Sequence, residues 1–298
     1  MSDTLQRFLF DDVDVRGEVV QLGAAWQAVL ERHDYPPEVR EPLGQLFVAG
    51  VLLAATLKLK GSITLQVRGD GPINLLVVDC SPHHADEESG PLYHIRGMAG
   101  WNGEVPAGDL HSRFGNGNLV ITIDPGKGGK RYQGIVELDG SSMADAIDNY
   151  LERSEQLPTR MWLVANEERA AGMLLQQMPE AGGSDEDAWN RVTTLAATIT
   201  DNELLELEQR EVIHRLFHEE DLRLFDPQPV AFHCNCSRER VADTLRSLGR
   251  EEVMGIIADE GAVEVTCQFC NRLYQFDAVD GEQLFIEQPQ PDGGNTRH

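Results

Sequence analysis

Apolar positions in the first 180 residues follow helical and strand periods in turn. Residues 39–57 repeat apolar side chains every three or four positions, which predicts an amphipathic helix. Residues 63–67 alternate apolar and polar side chains, and a Gly-Asp-Gly-Pro turn at 69–72 leads into a second apolar segment at 73–78. This pattern predicts a strand hairpin after a long helix.

The same reasoning predicts a second hairpin and then a helix and a strand. The hairpin strands are residues 119–123 and 132–138, the helix spans about 142–153, and the strand spans about 160–165. The glycine-rich run 126–130 lacks the G-x-x-x-x-G-K-[ST] spacing of a phosphate-binding loop and joins two strands, so we interpret it as a hairpin turn. The segment is therefore predicted to be mixed α+β.

A breaker cluster at residues 179–183 marks a change in pattern. Two amphipathic helices are predicted beyond it: Ser184 can cap the first, and Thr200 with Glu203 forms a capping box for the second. We predict an α+β domain at residues 1–180, a helical linker at 181–229 and a C-terminal domain at 230–298. The two helices lack a core of their own, and a helical hairpin packed permanently on the first domain is an open alternative.

Composition restricts the partners and the compartment. The chain has 298 residues, 41% of them hydrophobic, and 50 acidic against 25 basic residues give a formal charge of -25. Such a charge repels phosphate backbones and anionic lipid surfaces, so neither nucleic acid nor a membrane is expected as a partner. Residues 1–12 lack the pattern of a secretory signal, and the longest apolar run, 47–57, is too short to cross a bilayer. We therefore expect a cytoplasmic protein.

Four of the five cysteines lie in one C-terminal stretch. Cys234 and Cys236 form a C-x-C pair, and Cys267 and Cys270 form a C-x-x-C pair after thirty intervening residues. Four thiolates brought together by a fold are the ligand set of a tetrahedral Zn²⁺ site. In a reducing cytosol, clustered cysteines are typical of metal binding or redox sensing. The sequence therefore predicts one zinc ion held by these four residues.

The spacing also permits redox chemistry. Zinc-bound thiolates are the form that peroxide or hypochlorous acid attacks, and a disulfide between residues i and i+2 is strained and easily reduced. Bound zinc contributes on the order of 10–16 kcal/mol in small finger peptides, so its loss should unfold a module as small as residues 230–298. From spacing alone, a static structural zinc site and a reversible switch both remain open.

Other candidate residues have simpler interpretations. Cys80 ends an apolar strand and is expected to be a small buried side chain. His233 adjoins Cys234, but four cysteines already complete a tetrahedron. His83 and His84 precede the acidic residues 86–88, and this polar cluster is expected to be a solvated loop. No catalytic triad or carboxylate pair stands out, but such sites assemble in space, so this absence is weak evidence. We expect a protein that is not an enzyme.

Several motifs resemble the 33 kDa heat-shock protein family of redox-regulated chaperones. The resemblance covers nearly the whole chain and is carried by the residues 69–72 (GDGP), 131–134 (RYQG), 154–159 (SEQLPT), 172–176 (GMLLQ), 215–222 (RLFHEEDL), 234–240 (CNCSRER) and 267–270 (CQFC).

This resemblance implies a holdase that needs no ATP and that zinc on Cys234, Cys236, Cys267 and Cys270 keeps inactive. Oxidation would form the disulfides Cys234–Cys236 and Cys267–Cys270, eject zinc and unfold the module with the linker. The family further implies binding of unfolding client proteins, a homodimer on activation and transfer of clients to ATP-dependent foldases. The alternatives are an interaction adaptor with a static structural zinc site and, less favoured, an enzyme with a structural zinc.

Overall fold

The computed structural model describes residues 3–11, 13–57, 61–84, 90–126, 128–138, 141–178 and 187–286. The chain divides into two compact units, Met1–His233 and Cys234–His298. The predicted division at residues 180 and 229 stays a prediction. Within the described residues, no helix combines the length and the apolar character that crossing a bilayer requires.

The first unit is mixed α+β, as predicted. In chain order its elements are β1 (Thr4–Phe10), β2 (Val15–Leu22), α1 (Ala24–Leu30), α2 (Pro37–Thr56), β3 (Ser62–Arg68), β4 (Ile73–His83), β5 (Leu92–Trp101), α3 (Leu110–Phe114), β6 (Asn118–Asp124), β7 (Tyr132–Glu137), α4 (Met143–Ser154), β8 (Thr159–Ala165), β9 (Ala170–Gln177), α5 (Ala188–Ala196), α6 (Asp201–Glu206), α7 (Gln209–Phe217), β10 (Leu222–Leu224) and β11 (Gln228–Phe232).

One sheet of eleven strands organises this unit. Its order is β7-β6-β3-β4-β5-β11-β1-β2-β9-β8, with β10 also paired to β1. Strand β11 joins the two halves, because it pairs antiparallel with β1 and parallel with β5. Both predicted hairpins are confirmed as β3–β4 and β6–β7, and the predicted helices and strand appear as α2, α4 and β8.

Helix α2 is the centre of the larger core. Its residues from Leu43 to Thr56 are buried apart from Gln45, and Phe47 packs edge-on against Trp26 with ring centroids 5.7 Å apart. The sheet makes room for this helix at Gly97, where a Cβ atom would lie 2.5 Å from the Phe47 ring. A helix that is apolar on nearly every side is typically buried in the protein interior.

Three helices, α5 to α7, pack on one face of β1, β2 and β9. The Thr200–Glu203 capping box is confirmed at the start of α6, whereas Ser184 lies outside the described residues. The second predicted helix divides into α6 and α7, because Leu207 and Glu208 take extended backbone, with ψ of 149° and 143°. The Gln21 amide stabilises this break by donating to the carbonyl oxygens of Leu204 at 3.0 Å and Leu207 at 2.6 Å.

The apolar cluster under these helices joins sheet and helix side chains. Phe8, Phe10, Val13, Val15, Val19, Val164, Ala171, Met173 and Leu175 come from the sheet side, and Ala188, Val192, Ala196, Leu204, Leu205, Val212, Ile213, Leu216 and Phe217 come from α5 to α7. Helices α5 to α7 thus share their apolar core with the sheet.

The second unit is small. Its elements are α8 (Arg238–Leu248), α9 (Arg250–Glu260), β12 (Val263–Thr266), β13 (Leu273–Phe276) and α10 (Ala278–Leu284). Strands β12 and β13 form an antiparallel hairpin. Its buried core is Ala242, Leu245, Val253, Ile257, Val263, Tyr274, Phe276 and Leu284.

Candidate metal centre

The C-x-x-C pair lies in the turn of the β12–β13 hairpin. The Cys267 amide donates to the Arg272 carbonyl oxygen at 2.9 Å, and the Asn271 amide donates to the Cys267 carbonyl oxygen at 2.8 Å. Asn271 has φ of 57°, a left-handed conformation that asparagine tolerates better than most residues. This tight turn brings the sulfurs of Cys267 and Cys270 to one end of the hairpin.

The C-x-C pair lies just before α8. Ser237 caps that helix, since its hydroxyl oxygen accepts a hydrogen bond from the Arg240 amide at 3.2 Å. The cap fixes the backbone next to Cys236, and the fold then places both pairs together. The four predicted residues, Cys234, Cys236, Cys267 and Cys270, are all half-buried.

The four sulfurs form one compact group in which all ligand atoms lie within 4.8 Å of one another. The Sγ–Sγ distance is 3.7 Å for Cys234 and Cys267 and 3.3 Å for Cys236 and Cys270. All four are free thiols. Among the described residues, no other group of three or more histidine, cysteine or acidic side chains is arranged to hold a metal ion. This cluster can hold one.

Hydrogen bonds make the cysteines unequal. Burial raises the pKa of Cys236, but hydrogen bonds from Tyr274 and from the other three cysteines outweigh burial and lower it to about 7. The Tyr274 hydroxyl donates to the Cys236 sulfur at 3.1 Å. Burial and hydrogen bonds with the neighbouring sulfurs raise the pKa of Cys270 to about 12, opposed by the Arg272 amide. The sulfurs titrate as a coupled group, and the hydrogen bond from Tyr274 favours the thiolate on Cys236.

Sequence reasoning did not predict a role for Tyr274 or for Arg272, whose side chains interact electrostatically with each other. The one available signal was strand alternation in β13: Tyr274 and Phe276 are buried, whereas Leu273 and Gln275 are exposed. Alternation predicts that Tyr274 faces inward, but it does not predict that its hydroxyl reaches a sulfur.

Three histidines of the first unit form a stack. His233 stacks on His94 with ring centroids 4.3 Å apart, and His94 stacks on His83 at 5.2 Å. Burial lowers the pKa of His94, and the neighbouring His233 and His83 lower it further. This stack joins residues from β4, β5 and the end of β11, so no local pattern in the sequence indicates it. The acidic residues 86–88 lie outside the described residues.

Cys80 is fully buried in β4, which confirms the interpretation as a small core side chain. Burial, with a smaller contribution from Asp79, raises the pKa of this thiol far above its usual range. A thiol that stays protonated is a poor nucleophile. Cys80 is therefore chemically separate from the four-cysteine cluster.

Comparisons with known proteins cover nearly the whole chain. The family model described as Hsp33 protein matches residues 3–277. The chain is 48% identical over 296 residues to the 33 kDa chaperonin of Nitrosococcus oceani, with 99% of each chain covered. It is 46% identical over 304 residues to the 33 kDa chaperonin of Pseudomonas aeruginosa, which covers 100% of this chain and 99% of the relative.

A solved structure supports the fold. The crystal structure of the 33 kDa chaperonin (heat shock protein 33 homolog) from Thermotoga maritima aligns with a TM-score of 0.79 at 22% sequence identity, covering 95% of this chain and 97% of that chain. The resemblance seen in the sequence motifs is thus confirmed by the family model and by full-length relatives. The chain belongs to the Hsp33 family.

Proposed function

We propose that this protein is a cytoplasmic, ATP-independent holdase whose activity is switched by oxidation of Cys234, Cys236, Cys267 and Cys270. The observation that carries the proposal is the compact cluster of four sulfurs in a unit with a small apolar core. Membership of the Hsp33 family and the chaperonin names of the relatives support the chaperone role.

Zinc is the metal that suits this ligand set. Zn–S bonds of about 2.3 Å in a tetrahedron separate the sulfurs by about 3.8 Å. The observed Sγ–Sγ distances of 3.7 and 3.3 Å, within a group no wider than 4.8 Å, are close to that value. Bound zinc would keep the thiols deprotonated and would hold the β12–β13 turn to the start of α8.

Oxidation would convert the ligand set into two disulfides, Cys234–Cys236 and Cys267–Cys270, the pairing implied by the family resemblance. Each pair of thiolates transfers two electrons to one hypochlorous acid molecule, which becomes chloride and hydroxide. A disulfide sulfur carries no negative charge and is a poor zinc ligand, so the ion leaves. A unit that depends on the metal would then unfold.

The consequence for the first unit would follow along the chain. Strand β11 leads directly into the second unit, and the helices α5 to α7 earlier in the chain are short. They are held to the sheet by the apolar cluster and by polar contacts such as the Gln209 amide donating to the Thr4 carbonyl oxygen at 2.6 Å. If these helices detach, the apolar face that includes Phe8, Val19 and Met173 becomes exposed. That face would bind apolar segments of unfolding clients.

The proposed partners are unfolded or partly unfolded client proteins, a second copy of the chain on activation, and ATP-dependent foldases that receive the clients. The formal charge of -25 supports the holdase role, because it would keep a complex with an exposed apolar face in solution.

The test follows bound zinc, helix content and suppression of client aggregation before hypochlorous acid treatment, after it, and after reduction. We expect zinc release, loss of α8 to α10 and client protection to appear together and to reverse together. Peptide mapping of the oxidised protein tests the two disulfides. The Cys267→Ser variant should respond abnormally to the oxidant, whereas Cys80→Ala should respond like the wild type.

Retention of zinc after oxidation, or zinc loss without client protection, would contradict the proposal. The adaptor with a static structural zinc would then account better for the four cysteines. Turnover that persists after zinc release would instead favour an enzyme.

A further inference from the structure

A tyrosine hydroxyl touches one of the four sulfurs. Tyr274 Oη donates a hydrogen bond to Cys236 Sγ at 3.1 Å, and the side chain is only 8% exposed. Tyr274 pairs with Val265 in the β12–β13 hairpin, and its ring packs in the apolar core of the unit. The hydroxyl therefore reaches the sulfur from a rigid element and not from a loop.

Packing alone would not require this hydroxyl. The tyrosine ring belongs to the apolar core of the unit, and phenylalanine would fill nearly the same volume. A buried hydroxyl without a partner is costly, so a tyrosine here fits a site that offers an acceptor. The acceptor is Cys236 Sγ. The exposed Arg272 side chain interacts electrostatically with the same tyrosine, and its positive charge favours donation by the hydroxyl to the sulfur.

Charge gives this contact a chemical effect. Four thiolates around a divalent ion carry a net charge of -2, in a chain whose formal charge is already -25. A donor aimed at one thiolate stabilises the bound, anionic state and withdraws electron density from the sulfur. A sulfur with less electron density is a weaker nucleophile toward an oxidant.

We propose that Tyr274, supported by Arg272, is a positioning residue that holds Cys236 toward the metal and slows its oxidation. The contact would thereby set the oxidant level at which the cluster responds. This inference rests on the proposed zinc-bound, redox-switched function and adds a residue outside the four ligands.

The test is Tyr274→Phe in the reduced, full-length protein. Loss of such an outer contact typically costs 10–100-fold in metal affinity, so we expect zinc affinity, measured by competition with a chromophoric chelator, to fall by about 10-fold. Zinc release by hydrogen peroxide should become several-fold faster. In the cobalt-substituted protein, the sulfur-to-cobalt charge-transfer band should shift to lower energy, which a purely structural role would not cause.

Two further variants make the result interpretable. Arg272→Met changes an exposed side chain and should shift all three measurements in the same direction by a smaller amount, even if Tyr274→Phe folds poorly. Thr244→Val removes an exposed hydroxyl on α8 that donates to the Arg240 carbonyl oxygen, and it should match the wild type.

Tyr274→Phe and Arg272→Met proteins that equal the wild type in affinity, release rate and cobalt spectrum would overturn the inference. A wild type that binds and releases zinc without gaining client protection would instead contradict the proposed function. In that case the variant comparison would still decide the role of Tyr274.

Discussion

Among the residues that the structure describes, 41 buried residues around α2 form one apolar cluster, whereas eight form that of the cysteine unit. The larger cluster includes fully buried aromatic residues such as Trp26 and Phe47. The smaller one leaves Leu248, Leu273 and Val279 more than half exposed. Both regions have regular helices and a sheet, so the difference lies in how much apolar surface each removes from water.

This difference indicates which region can fold without help. Burial stabilises a folded chain roughly in proportion to the apolar area removed from water, and small domains remove too little. The first unit can rely on burial. The second places four half-buried sulfurs where a larger domain would have further apolar side chains. A metal bound there would supply the missing stability and would also make that stability sensitive to oxidants.

Removing the metal under reducing conditions should produce the largest difference in stability between the two units. We expect a strong zinc chelator to unfold α8 to α10 while α2 and the sheet stay folded, because metal binding contributes on the order of 10 kcal/mol to the folding of such small units. Hydrogen exchange followed by mass spectrometry reports both regions in one sample. Cys80→Ala is the control, since it changes a buried cysteine and leaves the four sulfurs intact.

Unchanged exchange protection in α8 to α10 after chelation would show that the eight buried residues keep this unit folded without a metal ion. The contrast between the two units would then be one of size alone.

Phe217→Ala should weaken the linker without touching the metal centre. The Phe217 ring is 1% exposed and lies 5.8 Å from the Phe8 ring and 5.2 Å from the Phe10 ring, measured between centroids. Deleting a buried aromatic side chain costs about 3–5 kcal/mol. We expect faster hydrogen exchange in α5 to α7 and stronger binding of an apolar dye, with zinc still bound.

Leu224→Ala is the matched control for this linker prediction, because Leu224 is 41% exposed. If Phe217→Ala speeds exchange equally in α2, the linker helices and the large core unfold as one body. The linker would then not be a separable layer, and the proposed exposure of the sheet face would need another cause.

Sequence periodicity predicted the elements whose signals are local. Helix α2 and the hairpins β3–β4 and β6–β7 are visible in the pattern because the spacing of apolar side chains and the turn residues can be read within one short segment. The cysteine cluster was predictable for a similar reason, since the C-x-x-C pair lies in the tight turn of a hairpin and the C-x-C pair directly precedes the cap of α8.

Contacts between distant residues were not predictable in this way. The break between α6 and α7 depends on Gln21, which is 183 positions from Leu204. The histidine stack needs three strands that only the sheet order brings together. The contact between Tyr274 and Cys236 spans 38 positions. The domain boundaries and the disulfide pairing remain predictions.

Glu18→Gln should test how closed the large core is to water, and its expected effect on stability is smaller than those of the two changes above. The Glu18 side chain is 3% exposed, and its carboxylate accepts a hydrogen bond from the Thr56 hydroxyl at 3.1 Å. Burial raises its pKa from 4.5 to about 7, against the opposing effects of Arg16, Thr56 and Arg7. Below pH 4.5 the carboxyl is protonated in both the folded and the unfolded chain, so its full contribution to stability is present there.

As pH rises from about 4.5 to 7, the unfolded chain releases this proton first, so the free energy of unfolding falls. Each pKa unit corresponds to about 1.4 kcal/mol, which sets the loss at about 3 kcal/mol by pH 8. The amide introduced by Glu18→Gln cannot ionise, and its oxygen can still accept from Thr56. In urea unfolding of the first unit, the free energy of unfolding of Glu18→Gln relative to the wild type should therefore increase as pH rises from 5 to 8. The exposed-site control Glu167→Gln should show no such increase. Parallel pH profiles for Glu18→Gln and the wild type would mean that Glu18 reaches water in the folded protein, and the large core would then be less closed than its packing indicates.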